Sequence, residues 1–168
     1  MSSIIREFRV LVVDGNHAGH AKLVREMIDY PGATFVISHK SPGTVLDCLW
    51  EARWHAVVVD APEIRRDTMD LLRDIKIVKP SIPLICVTDD EDIEKAEEAV
   101  MLGCEDVFVR SAVDGITVPR EIILSQARRK AAKSKLDGNG EADMKADLAR
   151  NKAWLAELEA FPADKLSP

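Results

Sequence analysis

Four polar residues stand directly behind short apolar runs: Asp14 after RVLVV, Asp60 after HAVVV, Thr88 after PLICV and Arg110 after VFV. Two carboxylates, a hydroxyl and a guanidinium suit phosphoryl transfer to a carboxylate. In that chemistry Asp60 is the nucleophile and forms an acyl phosphate. A divalent cation on hard oxygen ligands neutralises the entering group, held by Asp14, Asp60 and the backbone carbonyl of Pro62. Thr88 hydrogen-bonds a phosphoryl oxygen and Arg110 pairs with its charge. An aspartate behind a strand, taken singly, more often caps a helix than reacts. Convergence of four such residues on one mouth is what carries the reading.

The elements that would bring them together are legible as alternation. Apolar runs at Arg9–Val13, Thr34–Ile37, Ala56–Val59, Pro83–Val87 and Val107–Val109 read as strands. Most are continuously apolar, as expected of parallel strands covered on both faces. Between and after them, helical patterns run over His17–Asp29, Thr44–Arg53, Asp67–Val78, Glu91–Leu102 and Pro119–Lys135. Ser41-Pro42 reads as a cap with a first-turn proline, Pro31-Gly32 as a stop, and Gly103 as the end of the fourth helix. Strands alternating with helices over short connections predict a doubly wound parallel α/β domain, in which ligands bind beyond the carboxyl ends of the strands.

Asp137-Gly138-Asn139-Gly140 then breaks the pattern, and a sixth helix is expected over Glu141–Ala160. The predicted organisation is a domain at 1–136, a glycine-rich linker at 137–140 and a helical extension at 141–168. Met144, Leu148, Asn151, Leu155 and Leu158 form about two heptads of a seam with one polar member. Trp154 and Phe161 broaden that face. Docking back on the α/β domain, pairing with a second copy and binding a partner helix all fit.

Of the 168 residues 46% are hydrophobic, which excludes global disorder. No apolar run approaches the roughly 20 residues of a membrane span, and Arg6, Glu7 and Arg9 interrupt any signal-peptide core. The formal charge is −6, unevenly placed: 14 basic and 22 acidic side chains fall in 1–126, five basic and no acidic in 127–136. A basic helix end of that kind complements the helix dipole, and the overall balance argues against nucleic-acid binding. Cys48, Cys86 and Cys104 lie in apolar contexts without metal-ligand spacing, as reduced thiols of a cytoplasmic protein do. His17 and His20 are three apart and would share a helix face, a weak signal for a metal.

The runs RVLVVDGN, HAVVVDAPEIRRDTMDLLRDIK, SIPLICVTDD and GCEDVFVR together resemble the receiver domain of two-component response regulators, over residues 8 to about 130. The resemblance implies a flavodoxin-like five-stranded sheet of order 2-1-3-4-5. It also implies phosphorylation of Asp60 by a histidine kinase or phosphotransfer protein, with Mg²⁺ bound at Asp14, Asp60 and the Pro62 carbonyl. A downstream protein partner would then read the face made by the fourth helix, fifth strand and fifth helix.

The sequence also departs from the family. Gly15 stands where a second acid usually contacts the metal, which would weaken Mg²⁺ binding unless Asn16 or Asp89 compensates. Arg110 replaces the lysine after the fifth strand, an exchange that keeps charge and changes shape. Ser111 replaces the proline after it, Val107 the aromatic switch residue, and Asp89 a small residue. Glu63-Ile64 stands for methionine-proline, and Thr68 for a glycine beside the retained Asp67. Two readings follow: an atypical receiver switched at Asp60, or a phosphorylation-independent pseudo-receiver that acts as scaffold or adaptor. Both are signalling proteins and not enzymes. A flavodoxin-like redox or nucleotide-binding enzyme fares poorly, because the loop after the first strand has neither a Ser/Thr cluster nor a P-loop lysine.

Overall fold

The computed structural model describes residues 6–14, 20–137 and 140–160, with side chains left aside at 137, 140–144, 147, 158 and 159. Among them the strands are β1 (Glu7–Asp14), β2 (Thr34–Lys40), β3 (Ala56–Asp60), β4 (Leu84–Thr88) and β5 (Asp106–Val109). The helices are α1 (His20–Ile28), α2 (Val45–Cys48), α3 (Arg66–Val78), α4 (Ile93–Met101), α5 (Thr117–Asp137) and α6 (Gly140–Glu159). All strand pairs are parallel and the order is β2-β1-β3-β4-β5. This is the expected doubly wound sheet.

Strand periodicity divides the core in two. Leu11, Val13, Val57, Val59, Leu84 and Cys86 face one side, with Met69, Leu72 and Ile75 of α3 and Ala99 of α4. Val10, Val12, Val58, Ile85 and Val87 face the other, with Leu23 and Met27 of α1 and Val118 and Ile122 of α5. Burial on both faces is what made β1, β3 and β4 read as continuous apolar runs. The three cysteines are free and buried. Burial pushes the Cys104 thiol up to about 12 and the Cys86 thiol further, so both are inert as nucleophiles.

Two local expectations fail for identifiable reasons. The second helix, expected over Thr44–Arg53, is only Val45–Cys48. Glu51 N–H and the Trp54 indole Nε1 both donate to the Cys48 carbonyl, at 3.2 and 2.9 Å, and so close the helix after one turn. Ser41-Pro42 does not start that helix either. Thr44 N–H donates to the Ser41 carbonyl in a turn, and Thr44 itself precedes the helix. The first helix is described from His20, and its expected start at His17 lies outside the described residues.

Gly103 ends the fourth helix as expected. Its φ is +116°, and N–H groups of Gly103 and Cys104 donate back to Val100 and Ala99. A Cβ at Gly103 would lie 2.9 Å from carbons of the Lys76 side chain.

By compactness the chain divides into residues 1–126 and 127–168. Among the described side chains, none after Ser125 is buried. In α6, Leu148, Asn151, Trp154 and Leu155 of the expected seam are exposed; Met144 and Leu158 lie outside the described side chains, and Phe161 outside the described residues. No described helix is long and apolar enough to cross a membrane.

Candidate functional site

Parallel register brings the strand ends together. Asp14 is the residue paired with Asp60, Asp60 is paired with Val87, and Thr88 is paired with Val109, just before Arg110. Alternation along β1 and β3 then puts Asp14 and Asp60 on the side of Val12 and Val58, the side covered by α1 and α5. Both carboxylates therefore meet what those connections supply: His20, the first residue of α1, and Arg110, which opens a short 3₁₀ turn ahead of α5.

Asp60 is closed in. The residue is 3% exposed. Arg110 Nη2 donates to its Oδ1, and Nη1 lies 3.5 Å from its Oδ2. Arg110 Nε meanwhile donates to Asp89 Oδ1 at 2.8 Å. One guanidinium thus spans two carboxylates, a use of its planar fork that lysine could not reproduce. Burial works against the Arg110 charge, but hydrogen bonds and attraction from Asp60 and Asp89 outweigh it and raise the pKa. Asp89, in the place of a small residue, is thereby a partner of Arg110.

His20 approaches the same carboxylates from the other flank. Its Nδ1 is 3.2 Å from Asp14 Oδ2 and 3.6 Å from Asp60 Oδ2, with both the His20 and Asp14 side chains largely buried. These are ion-pair distances without the alignment of a hydrogen bond. On its outer edge His20 Nε2 lies 2.7 Å from His39 Nδ1, and the two rings meet edge-on. Burial and then the neighbouring His20 lower the His39 pKa, against a smaller opposing pull from Asp14. The sequence signal for His20 was its spacing from His17, which lies outside the described residues. His39, at the end of β2, carried no signal at all, because only the β1–β2 register places it there.

Thr88 is fully buried and alternates to the opposite side of the sheet, with Leu84 and Cys86. Its hydroxyl donates to the Pro62 carbonyl at 3.2 Å and accepts from Asp90 N–H at 3.1 Å. Asp89 N–H also donates to the Pro62 carbonyl, at 3.0 Å. Asp90 is held by Lys95 Nζ at 2.8 Å, and hydrogen bonds from Lys95 and from Asp92 N–H lower its pKa. Asp67 accepts from Thr68 N–H within the first turn of α3, and Glu63 pairs with Arg65. Val107 and Phe108 pack on opposite sides of the sheet, as the strand period requires.

The expected Mg²⁺ ligands can be tested against these contacts. Mg²⁺ demands near-octahedral oxygen donors and dehydrates reluctantly. Here the Pro62 carbonyl already accepts two hydrogen bonds, Asp60 holds Arg110 through both oxygens, and Asp14 and Asp60 share the His20 edge. Among the described residues no group of three His, Cys, Asp or Glu side chains is arranged to hold a metal. The donors present do not fit the ion; Asn16, the other compensating donor considered, lies outside the described residues.

No protein-family model matches the sequence, and no curated protein does. Solved structures do match. A CheY-like receiver domain protein from Methanospirillum hungatei JF-1 is 16% identical over 74% of this chain and 98% of its own, with a TM-score of 0.60. A receiver domain protein from Clostridium thermocellum is 21% identical over the same shares, with a TM-score of 0.59. The Salmonella typhimurium response regulator RcsB is 13% identical over 74% of this chain, which spans 61% of that longer one, with a TM-score of 0.60. Strand order, register and these likenesses agree: the α/β part of the chain has the fold of response-regulator receiver domains.

Proposed function

We propose that this chain is a receiver-type module of two-component signalling that acts by protein–protein contact, with Asp60 as a structural anchor and not a phosphorylation site. The observation that carries the reading is the closure of Asp60, whose side chain has no exposed surface and is gripped by Arg110. The Thr88 hydroxyl, which a phosphoryl oxygen would need, is engaged by the Pro62 carbonyl and the Asp90 amide. Exposed apolar residues suit a protein partner: Ile93, Val100 and Met101 on α4, and Leu124 on α5. The fourth-helix, fifth-strand and fifth-helix face is accordingly the downstream contact surface in this reading. The exposed Leu148, Trp154 and Leu155 of α6 are the surface for self-association or a partner helix.

A second reading, phosphorylation of Asp60 by a histidine kinase or phosphotransfer protein, draws support from the grouping of Asp60, Thr88 and Arg110 at neighbouring strand ends. Intact-mass analysis after incubation with acetyl phosphate and Mg²⁺ separates the two. The expected result is no phosphoryl adduct on the full chain, as for Asp60→Asn. An adduct on the native chain that Asp60→Asn abolishes would replace the first reading with the second.

A further inference from the structure

The misfit between the donors and a divalent ion has a positive counterpart. Beyond the end of the sheet, the space flanked by the Asp14 and Asp60 carboxylates is entered by an imidazole edge. His20 Nδ1 lies 3.2 Å from one Oδ2 and 3.6 Å from the other. The imidazole edge that bears Nδ1 thus lies against both carboxylates at once. Its position is fixed from both ends. The backbone of α1 begins at His20, and its Nε2 is tied to His39 Nδ1 at 2.7 Å. The Arg110 guanidinium donates to Asp60 Oδ1 and joins it to Asp89. The carboxylate pair is thus met by two basic side chains of the chain itself, His20 and Arg110.

We infer that His20, together with Arg110, is a built-in replacement for the divalent cation, so that this receiver-fold mouth is assembled without a metal. An ion bridging the two carboxylates would sit about 2.0–2.1 Å from each oxygen, in the space the imidazole edge occupies. The side chain would have to swing out, losing its contacts with Asp14, Asp60 and His39. The inference deepens the phosphorylation-independent reading above and rests on it only for biological meaning, since it concerns the state of the mouth before any phosphodonor is added.

The test needs no phosphodonor. Thermal unfolding of the full chain is followed with and without Mg²⁺, and Mn²⁺ is added while the amide signals of Val13 and Ala61 are watched for paramagnetic broadening. For the native chain, millimolar Mg²⁺ is expected to move the midpoint by less than about 1 °C, and Mn²⁺ to leave those amides unbroadened. His20→Ala is expected to unfold several degrees lower and to recover at least half of that loss on adding Mg²⁺. His20→Asn, which keeps a short N–H donor, is expected to remain indifferent to the metal.

Saturable Mn²⁺ or Mg²⁺ binding by the native chain overturns the inference, and this measurement does not depend on any variant folding. Indifference of both the native chain and His20→Ala overturns the role of His20, since the ion would then be excluded by missing ligands alone. The outcomes are separable from those of the phosphorylation experiment. An adduct on Asp60 in a chain that ignores Mg²⁺ refutes the functional reading only, and Mg²⁺ binding without an adduct refutes this inference only.

Discussion

At the scale of single residues, Arg110 decides the character of the mouth. Its fork holds Asp60 and Asp89 at once, so removing it takes a charge partner from the buried Asp60 carboxylate. Truncating one member of a buried pair is costly because the other charge stays desolvated. Arg110→Ala is therefore expected to destabilise the chain by about 2–3 kcal/mol, less than for a fully buried pair because the guanidinium reaches the surface. Arg110→Lys keeps the charge and loses the second arm, and is expected to cost about 1 kcal/mol. Urea unfolding at neutral pH checks both, as a lowered midpoint with an unchanged slope. A midpoint for Arg110→Lys equal to that of the native chain would show that charge alone matters and that the bridge to Asp89 does not.

At the scale of elements, the connections do most of the positioning. The β3 entry is fixed through His55, whose Nδ1 accepts from Arg9 N–H at 2.9 Å, whose ring meets Phe8 edge-on, and whose carbonyl accepts from the Gln126 side chain of α5. Burial, then Arg53 and Arg9, lower the His55 pKa against a smaller pull from Glu7. His39 is lowered as well. A depressed imidazole pKa means that the fold holds the neutral form. The associated stability is full above the ordinary value of about 6.5 and is lost as pH falls from there toward the lowered folded values. The unfolding midpoint is accordingly expected to drop between about pH 7 and pH 5, and the double variant His39→Gln, His55→Gln to flatten that decline. A midpoint that rises over this interval would contradict the assignment.

At the scale of the whole molecule, the described buried residues all lie at or before Ser125, within the first compact unit. Burial of apolar surface is the main source of stability, so that unit carries its own. A chain ending at residue 137 is expected to keep the α/β unfolding midpoint within about 2 °C of the full chain's, measured by calorimetry. Any dimer that the full chain forms in sedimentation is expected to disappear with the same truncation, since α6 presents Leu148, Trp154 and Leu155 to solvent. A midpoint several degrees lower would show that residues 138–168 contribute to the stability of the α/β unit.

The sequence by itself determined the sheet, because strands buried on both faces leave continuous apolar runs and a parallel sheet needs a crossover element between successive strands. For the same reason it placed Asp14, Asp60, Thr88 and Arg110 at one edge, since each directly follows such a run. The length of the second helix escaped it, because Trp54 ends that helix through a contact with the Cys48 carbonyl, six residues back. Only the tertiary structure decided what the site residues hold. Arg110 and Asp89 meet across adjacent strand ends, 21 positions apart, and His20 and His39 meet only through the pairing of β1 with β2. Thr88 points its hydroxyl at the Pro62 carbonyl, 26 positions away, on the side of the sheet its register dictates. Strand identity is written in local hydrophobicity, whereas the partners of a buried charge are set by which distant backbone lies alongside. Reactive residue types were therefore legible in the chain, and their neutralisation by one another was not.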